Sequence, residues 1–245
     1  MMATKILVSQ PKPQTEKSPY FDVAEKYNLD LVFRPFIKIE PMSAKDFRAQ
    51  RVQIPGHTAI VFTSRHAIDH FFALCKELRV SIPDDMKYFC VSQQVSLYVS
   101  KYVQYRKRKN FFPESGLLTD LFPIIAKHKT ENYFVPQSSV HNDEIKDKLE
   151  DLAVQHDEAV MYYTVTNDFR SDEPMDYNML IFFSPEGIHS LVKNFPDFKQ
   201  GDVKIACLGG KTIKAAEDAG LHVDYQPTAE LRSVPAIIEA YAKTL

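Results

Sequence analysis

Residues 59–72, AIVFTSRHAIDHFF, join an apolar run to a helical pattern through Thr63-Ser64, and this corner decides the fold. Four apolar residues in a row, Ala59 to Phe62, suit a short strand covered on both faces. Ser64 is of the type that caps a helix, and Ala67, Phe71 and Cys75, with Ile68 and Phe72 beside them, recur at helical spacing on the face predicted to be buried. Residues 179–192, MLIFFSPEGIHSLV, repeat the design, with Ser184 as cap and Pro185 as first-turn proline. A strand that runs straight into a capped helix is the building unit of a parallel sheet.

Around the two corners, apolar runs alternate with amphipathic patterns through almost the whole chain, as in α/β folds. KILVS (5–9) reads as a strand, and Ser18-Pro19 opens a helix with Phe21, Ala24 and Tyr27 on one face. LDLVFRPFIKIE (29–40) reads as extended, with Pro35 marking an edge or connecting strand. KYFCVS (87–92), NYFVPQSS (132–139), EAVMYYTVTND (158–168), VKIACLGG (203–210) and LHVDYQP (221–227) are further extended segments. Helical patterns lie between them: Val95, Tyr98, Val99 and Tyr102; LLTDLFPIIA (117–126), in two pieces around Pro123; and Ile145, Leu149 and Leu152. Two more complete the chain, one closed by Gly220 and one around Ile237, Ile238 and Tyr241.

The second half repeats the first with its order rotated, although generic α/β patterning also produces weak matches. KYFCVSQQVSLYVSKY aligns with VKIACLGGKTIKAAEDAG, setting Cys90 opposite Cys207, and FFPESGLLTDLFPII aligns with YQPTAELRSVPAII. NYFVPQSS, its helix and MYYTV align with KILVSQP, its helix and LVFRPF. The expected fold is therefore α/β: two doubly wound parallel-sheet lobes of flavodoxin- or Rossmann-like type. Residues 41–157 form an inserted second lobe, and 1–36 with 168–245 form a discontinuous first lobe. Segments 31–40 and 158–168 join them as a two-stranded β-ladder.

With 44% hydrophobic residues, the 245-residue chain can bury a sizeable core. A net charge of −2 argues against a nucleic-acid partner, and YRKRKN (105–110) reads as a solvated edge strand or turn. Cys75, Cys90 and Cys207 lack CxxC spacing and sit in apolar stretches, as buried thiols of a reducing compartment do. No signal-peptide core and no run of ~18 apolar residues occurs, so a cytoplasmic monomer without membrane contact is expected. Neither GxGxxG nor a P-loop is present: LGGKT (208–212) lacks the first glycine that loop needs ahead of its Gly-Lys-Thr ending.

Each corner sets a serine at a strand's C-terminal end with a helix N-terminus behind it. Ligands of open α/β sheets bind there, and free backbone N–H groups favour anions. A single such serine often does no more than cap its helix. Ser64 and Ser184 together point to a ligand with several anionic groups in a cleft between lobes. Other strand exits are polar as well: Ser9-Gln10, Ser92-Gln93-Gln94, Gln137-Ser138-Ser139 and Gly209-Gly210-Lys211-Thr212, with Arg65, His66 and His141 nearby. His66 and His70 stand at i, i+4 without a third ligand of sensible spacing, so no metal is expected and His70 reads as a surface or helix-packing residue. No nucleophile triad stands out. MYYTV (161–165) sets Tyr162 and Tyr163 on opposite faces of a strand, leaving one free to face a ligand and donate its phenolic proton.

At these residues the sequence resembles the uroporphyrinogen-III synthase family. The carriers are VFTSRHAIDHFF, AVMYYTV, IFFSPEGIHSL and IACLGGKTIKAAEDAGLHVDYQP. In the last stretch the family typically shows a strand, Gly-Pro-Thr-Thr and a helix ending Ala-x-Gly-Leu. The resemblance implies two α/β lobes joined by a β-ladder and no cofactor. It implies a lyase of tetrapyrrole (haem) biosynthesis that cyclises hydroxymethylbilane to uroporphyrinogen III, inverting ring D through a spiro intermediate. A transient hand-over of substrate from hydroxymethylbilane synthase fits that role.

By the match to VY-x-T, the family's linker tyrosine falls on Tyr162 as the catalytic group. Its cleft serines fall on Ser64 and Ser184, and the second threonine of its turn on Thr212. Arg65, Ser138, Ser139, Gly210 and Lys211 complete the expected substrate-binding set. The chain departs from the family where Lys211 replaces a usual threonine, Val95 a frequent one, and Arg65 a frequent proline. Both cations can pair with substrate carboxylates instead. A non-catalytic two-lobed protein for a small polyanion would keep both corners and need no linker tyrosine. A pair of receiver-like modules is disfavoured by QPKPQ after KILVS, where acidic residues belong.

Overall fold

The computed structural model describes residues 4–15, 17–170 and 174–245. The chain runs β1 (Thr4–Val8), α1 (Pro19–Tyr27), β2 (Leu29–Phe33), β3 (Ile37–Pro41), α2 (Ala44–Ala49), β4 (Ala59–Phe62), α3 (Arg65–Leu78), β5 (Lys87–Cys90), α4 (Gln93–Tyr98) and β6 (Asn110–Phe111). It continues with α5 (Phe122–Ala126), β7 (Tyr133–Ser138), α6 (Glu144–Asp151), β8 (His156–Thr166), β9 (Met179–Phe182), α7 (Pro185–Asn194), β10 (Lys204–Cys207), α8 (Gly210–Asp218) and α9 (Val234–Ala242). These residues fall into two compact units, one within Met1–Lys38 and Val165–Leu245, the other Ile39–Thr164.

In the first unit four parallel strands stand in the order β10-β9-β1-β2. Strand alternation divides their apolar side chains between two helix layers. Ile6, Val8, Met179 and Ile181 pack with α9 residues Ile237, Ile238 and Tyr241, and with Tyr20, Val23 and Tyr27 of α1. Leu7, Leu180, Phe182 and Ile205 face Ile188 and Leu191 of α7 and Ala216 of α8. The α1 face is thus Tyr20, Val23 and Tyr27 rather than Phe21, Ala24 and Tyr27, a rotation of the expected stripe.

The second unit holds a six-stranded sheet in the order β3-β8-β7-β4-β5-β6. From β8 to β6 every pairing is parallel. Ile60 and Phe62 turn to the layer of α2, α3 and α4, while Ala59 and Val61 turn to α5 and α6. The order β5-β4-β7-β8 repeats β10-β9-β1-β2 strand for strand, as the rotated sequence match requires. Even β6 has its counterpart, since Tyr225 bridges to Ala206 of β10.

Two extended segments differ from expectation. Residues 29–40 split at Arg34-Pro35-Phe36: Leu29–Phe33 stays in the four-stranded sheet, and only Ile37–Pro41 pairs beside β8. Pro35 has no N–H for a ladder, and Phe36 next to it is fully buried between Phe169 and Phe182. LHVDYQP contributes the single bridge at Tyr225 rather than a strand. Asp224 explains the arrest, because its carboxylate accepts from Ile205 N–H and from Lys204 instead of leaving the backbone to pair. The fourth expected helix is also shorter, since α4 ends at Tyr98 and a 3-10 turn covers Val99–Lys101. Among the described residues no helix is long and apolar enough to cross a membrane.

Candidate functional site

The first corner builds its site at the C-terminal ends of β4, β7 and β8. Beyond Phe62 the backbone stays extended through Ser64 (φ −154°), whose Oγ accepts from Ala67 N–H at 3.1 Å and caps α3. On β8 the pairing jumps from Gln137↔Val160 to Ser138↔Tyr162, so Met161 is an inserted bulge residue. A bulge re-aims the side chain after it. Here it leaves Tyr162 buried at 7% exposure, with its hydroxyl 3.4 Å from Ser64 Oγ. Tyr163 is half-buried.

The Tyr162 ring stacks on His70 of α3, with centroids 5.1 Å apart and planes inclined by 21°. Burial pushes the phenol pKa above its ordinary value, and the Ser64 hydroxyl works weakly the other way. Burial, helped by neighbouring His66, lowers the pKa of His70 against the pull of Asp69. A protonated phenol therefore lies against a neutral imidazole at neutral pH. The residue expected to be a surface or packing histidine supports the candidate acid directly.

Ser138 and Ser139 tie the exit of β7 to β8. Ser138 Oγ meets Thr164 Oγ1 at 2.7 Å and accepts from Val140 N–H, while Ser139 Oγ accepts from Thr164 N–H and Ser139 N–H donates to Tyr162 O. Beside them opens a cavity of about 290 Å³ lined by Thr63, Gln137, Ser138, His141, Asn142 and Tyr162 among others. The structure thus brings Ser64, Ser138 and Tyr162 together. Arg65 is exposed at the start of α3 with its guanidinium over the Tyr98 ring, 5.3 Å from the centroid.

The second corner is built differently from its twin. Ser184 takes the extended cap conformation (φ −149°), yet its side chain makes no cap bond. Gly187 N–H donates instead to the Ser184 carbonyl at 3.1 Å. At α8, Gly209 holds φ +102°, which favours glycine, and Gly210 and Lys211 are exposed. Thr212 is 2% exposed, and its hydroxyl donates to Leu208 O at 3.2 Å.

Gln137, His70 and Thr164 lie beside Tyr162 and Ser138 without having been in the expected binding set, Gln137 having been named only as a polar strand-exit residue and His70 only as a surface or helix-packing residue. The signal for Gln137 was its parity with Tyr133 and Val135 on an inward-facing row of β7. Among the described residues no group of three or more His, Cys, Asp or Glu is placed to hold a metal.

Parallel α/β sheets, each with a serine-marked strand end, one of them beside a buried strand tyrosine, define an α/β protein with its candidate chemistry at strand C-termini. The chain belongs to the family described as uroporphyrinogen-III synthase HemD, which matches residues 19–233. The crystal structure of uroporphyrinogen-III synthetase from Helicobacter pylori 26695 is similar to it at 12% identity and a TM-score of 0.66, covering 99% of this chain and 100% of that one. A mutant uroporphyrinogen III synthase from the extremely thermophilic bacterium Thermus thermophilus is similar at 13% identity and a TM-score of 0.58, covering 98% of each. At such identities the likeness is one of fold. No curated protein matches the chain.

Proposed function

We propose that this chain cyclises hydroxymethylbilane to uroporphyrinogen III with inversion of ring D, and that Tyr162 is its acid. The observation that carries the reading is the buried Tyr162 hydroxyl, set beside Ser64 Oγ at the wall of a cavity. The substrate's terminal C–O bond breaks as the phenol gives its proton to the departing hydroxyl, which leaves as water. The azafulvene-type cation so formed is attacked by the substituted carbon of ring D, giving a spiro intermediate. That intermediate fragments and recloses in the inverted sense, and the proton lost from the new ring carbon restores the phenol. Atoms balance as one substrate to one product and one water.

Holding the chain in the less accessible closure geometry supplies much of the acceleration. Each unit presents donors for the substrate's carboxylates: Arg65 in one, and Ser184, Gly210 and Lys211 in the other. The test couples the protein to hydroxymethylbilane synthase, oxidises the products and separates the porphyrin isomers. Isomer III is expected, and isomer I alone would overturn the reading.

A further inference from the structure

We propose that Gln137 contacts the substrate directly, its side-chain carbonyl accepting a pyrrole N–H in the cavity beside Tyr162. The inference rests on the tetrapyrrole reading above and deepens it. Gln137 is 6% exposed on β7, in the inward row that begins with the fully buried Tyr133 and Val135. Its Oε1 and Nε2 are both buried, and neither has a hydrogen-bond partner in the protein.

A carboxamide offers two donor and two acceptor positions, and burying it unpaired is unfavourable. Natural chains satisfy nearly all such groups, and local violations concentrate where function requires them. A leucine or methionine would fit this row without that cost. The amide shares its cavity with Tyr162, Thr63, Ser138 and Asn142. Glu144 also lines it, and an acid in the wall repels a carboxylate while favouring an N–H donor. Of the polar groups a linear tetrapyrrole carries, the ring N–H groups are the ones that can donate to Oε1, because its ionised carboxylates only accept. Oε1 accepts that hydrogen bond, holding a pyrrole ring in the cavity that Tyr162 also lines.

The experiment compares Gln137→Met and Gln137→Glu with the wild type, measuring isomer-III formation and thermal unfolding of the full chain. Removing an unpaired buried amide should leave Tm unchanged or raise it in the methionine variant. The same change should lower kcat/KM about tenfold, the scale of one hydrogen bond to substrate. Gln137→Glu keeps an acceptor oxygen and should stay within about threefold of wild type. Unchanged kinetics in the methionine variant would overturn the proposal, and so would a kinetic loss accompanied by a lower Tm. Equal losses in both variants would overturn the acceptor role. If the wild type forms no isomer III, the functional reading itself fails.

Discussion

Tyr162 does its proposed work through one atom, and the surroundings of that atom separate function from stability. Its hydroxyl lies 3.4 Å from Ser64 Oγ, beyond the usual ~2.5–3.0 Å of an O–H···O bond, so the contact holds little of the fold together. The ring carries the packing, against His70 and within the core of the second unit. Tyr162→Phe should therefore keep Tm within about 1–2 °C while lowering kcat by about 10²-fold or more, the usual share of a positioned acid. Unfolding scans and coupled turnover on the same preparation check both halves. The tyrosine pair was legible in MYYTV, but simple alternation could not say which ring turns inward. The Met161 bulge decides that, and a bulge has no marker in this sequence. Gln137 was visible only as one polar residue at a strand exit, because a missing partner is a property of packing.

Two corners that read alike as elements differ in what their serines hold. Ser64 caps α3 with its side chain, whereas at Ser184 the corresponding N–H turns to the main-chain carbonyl. An N-cap serine replaced by alanine costs about 1 kcal/mol, or about 2–4 °C in a chain of this size. Ser64→Ala should show that loss, and Ser184→Ala should melt within about 1 °C of wild type, since no cap bond is removed. Equal shifts in the two variants would contradict the asymmetry. The elements themselves were largely readable, because apolar runs, capping serines and Gly220 announce strands and helix ends locally. The split at Pro35 and the loss of a strand at 221–227 were not. There the deciding partners are Phe36 in its aromatic pocket and Asp224 on the β10 backbone, both long-range contacts.

At the scale of the whole molecule, the rotated repeat places N- and C-terminal segments in one sheet, and the repeat was legible because matched segments keep matched hydrophobic patterns. That sheet buries Cys207 at the end of β10, in the position Cys90 takes on β5, and Cys75 lies on the buried face of α3. Burial pushes each thiol from an ordinary 9.0 up to about 12. Above about pH 9 the unfolded chain releases these protons while the native state retains them. The native state then binds more protons, so stability falls as pH rises, being fully present below pH ~9 and lost progressively toward pH ~12. Each thiol contributes a slope of at most about 1.4 kcal/mol per pH unit. Buried tyrosines, with an ordinary pKa of ~10, add most of their loss above that pH, so the cysteines weigh most heavily between about pH 9 and 10. Denaturant unfolding across that interval should show a steep loss for the wild type and a much flatter line for Cys75→Ala, Cys90→Ala and Cys207→Ala combined. A triple variant weakened at neutral pH by its lost packing still tests the claim, because the slope, not the intercept, carries it. An unchanged slope would mean that the three thiols ionise as readily in the folded chain as in the unfolded one.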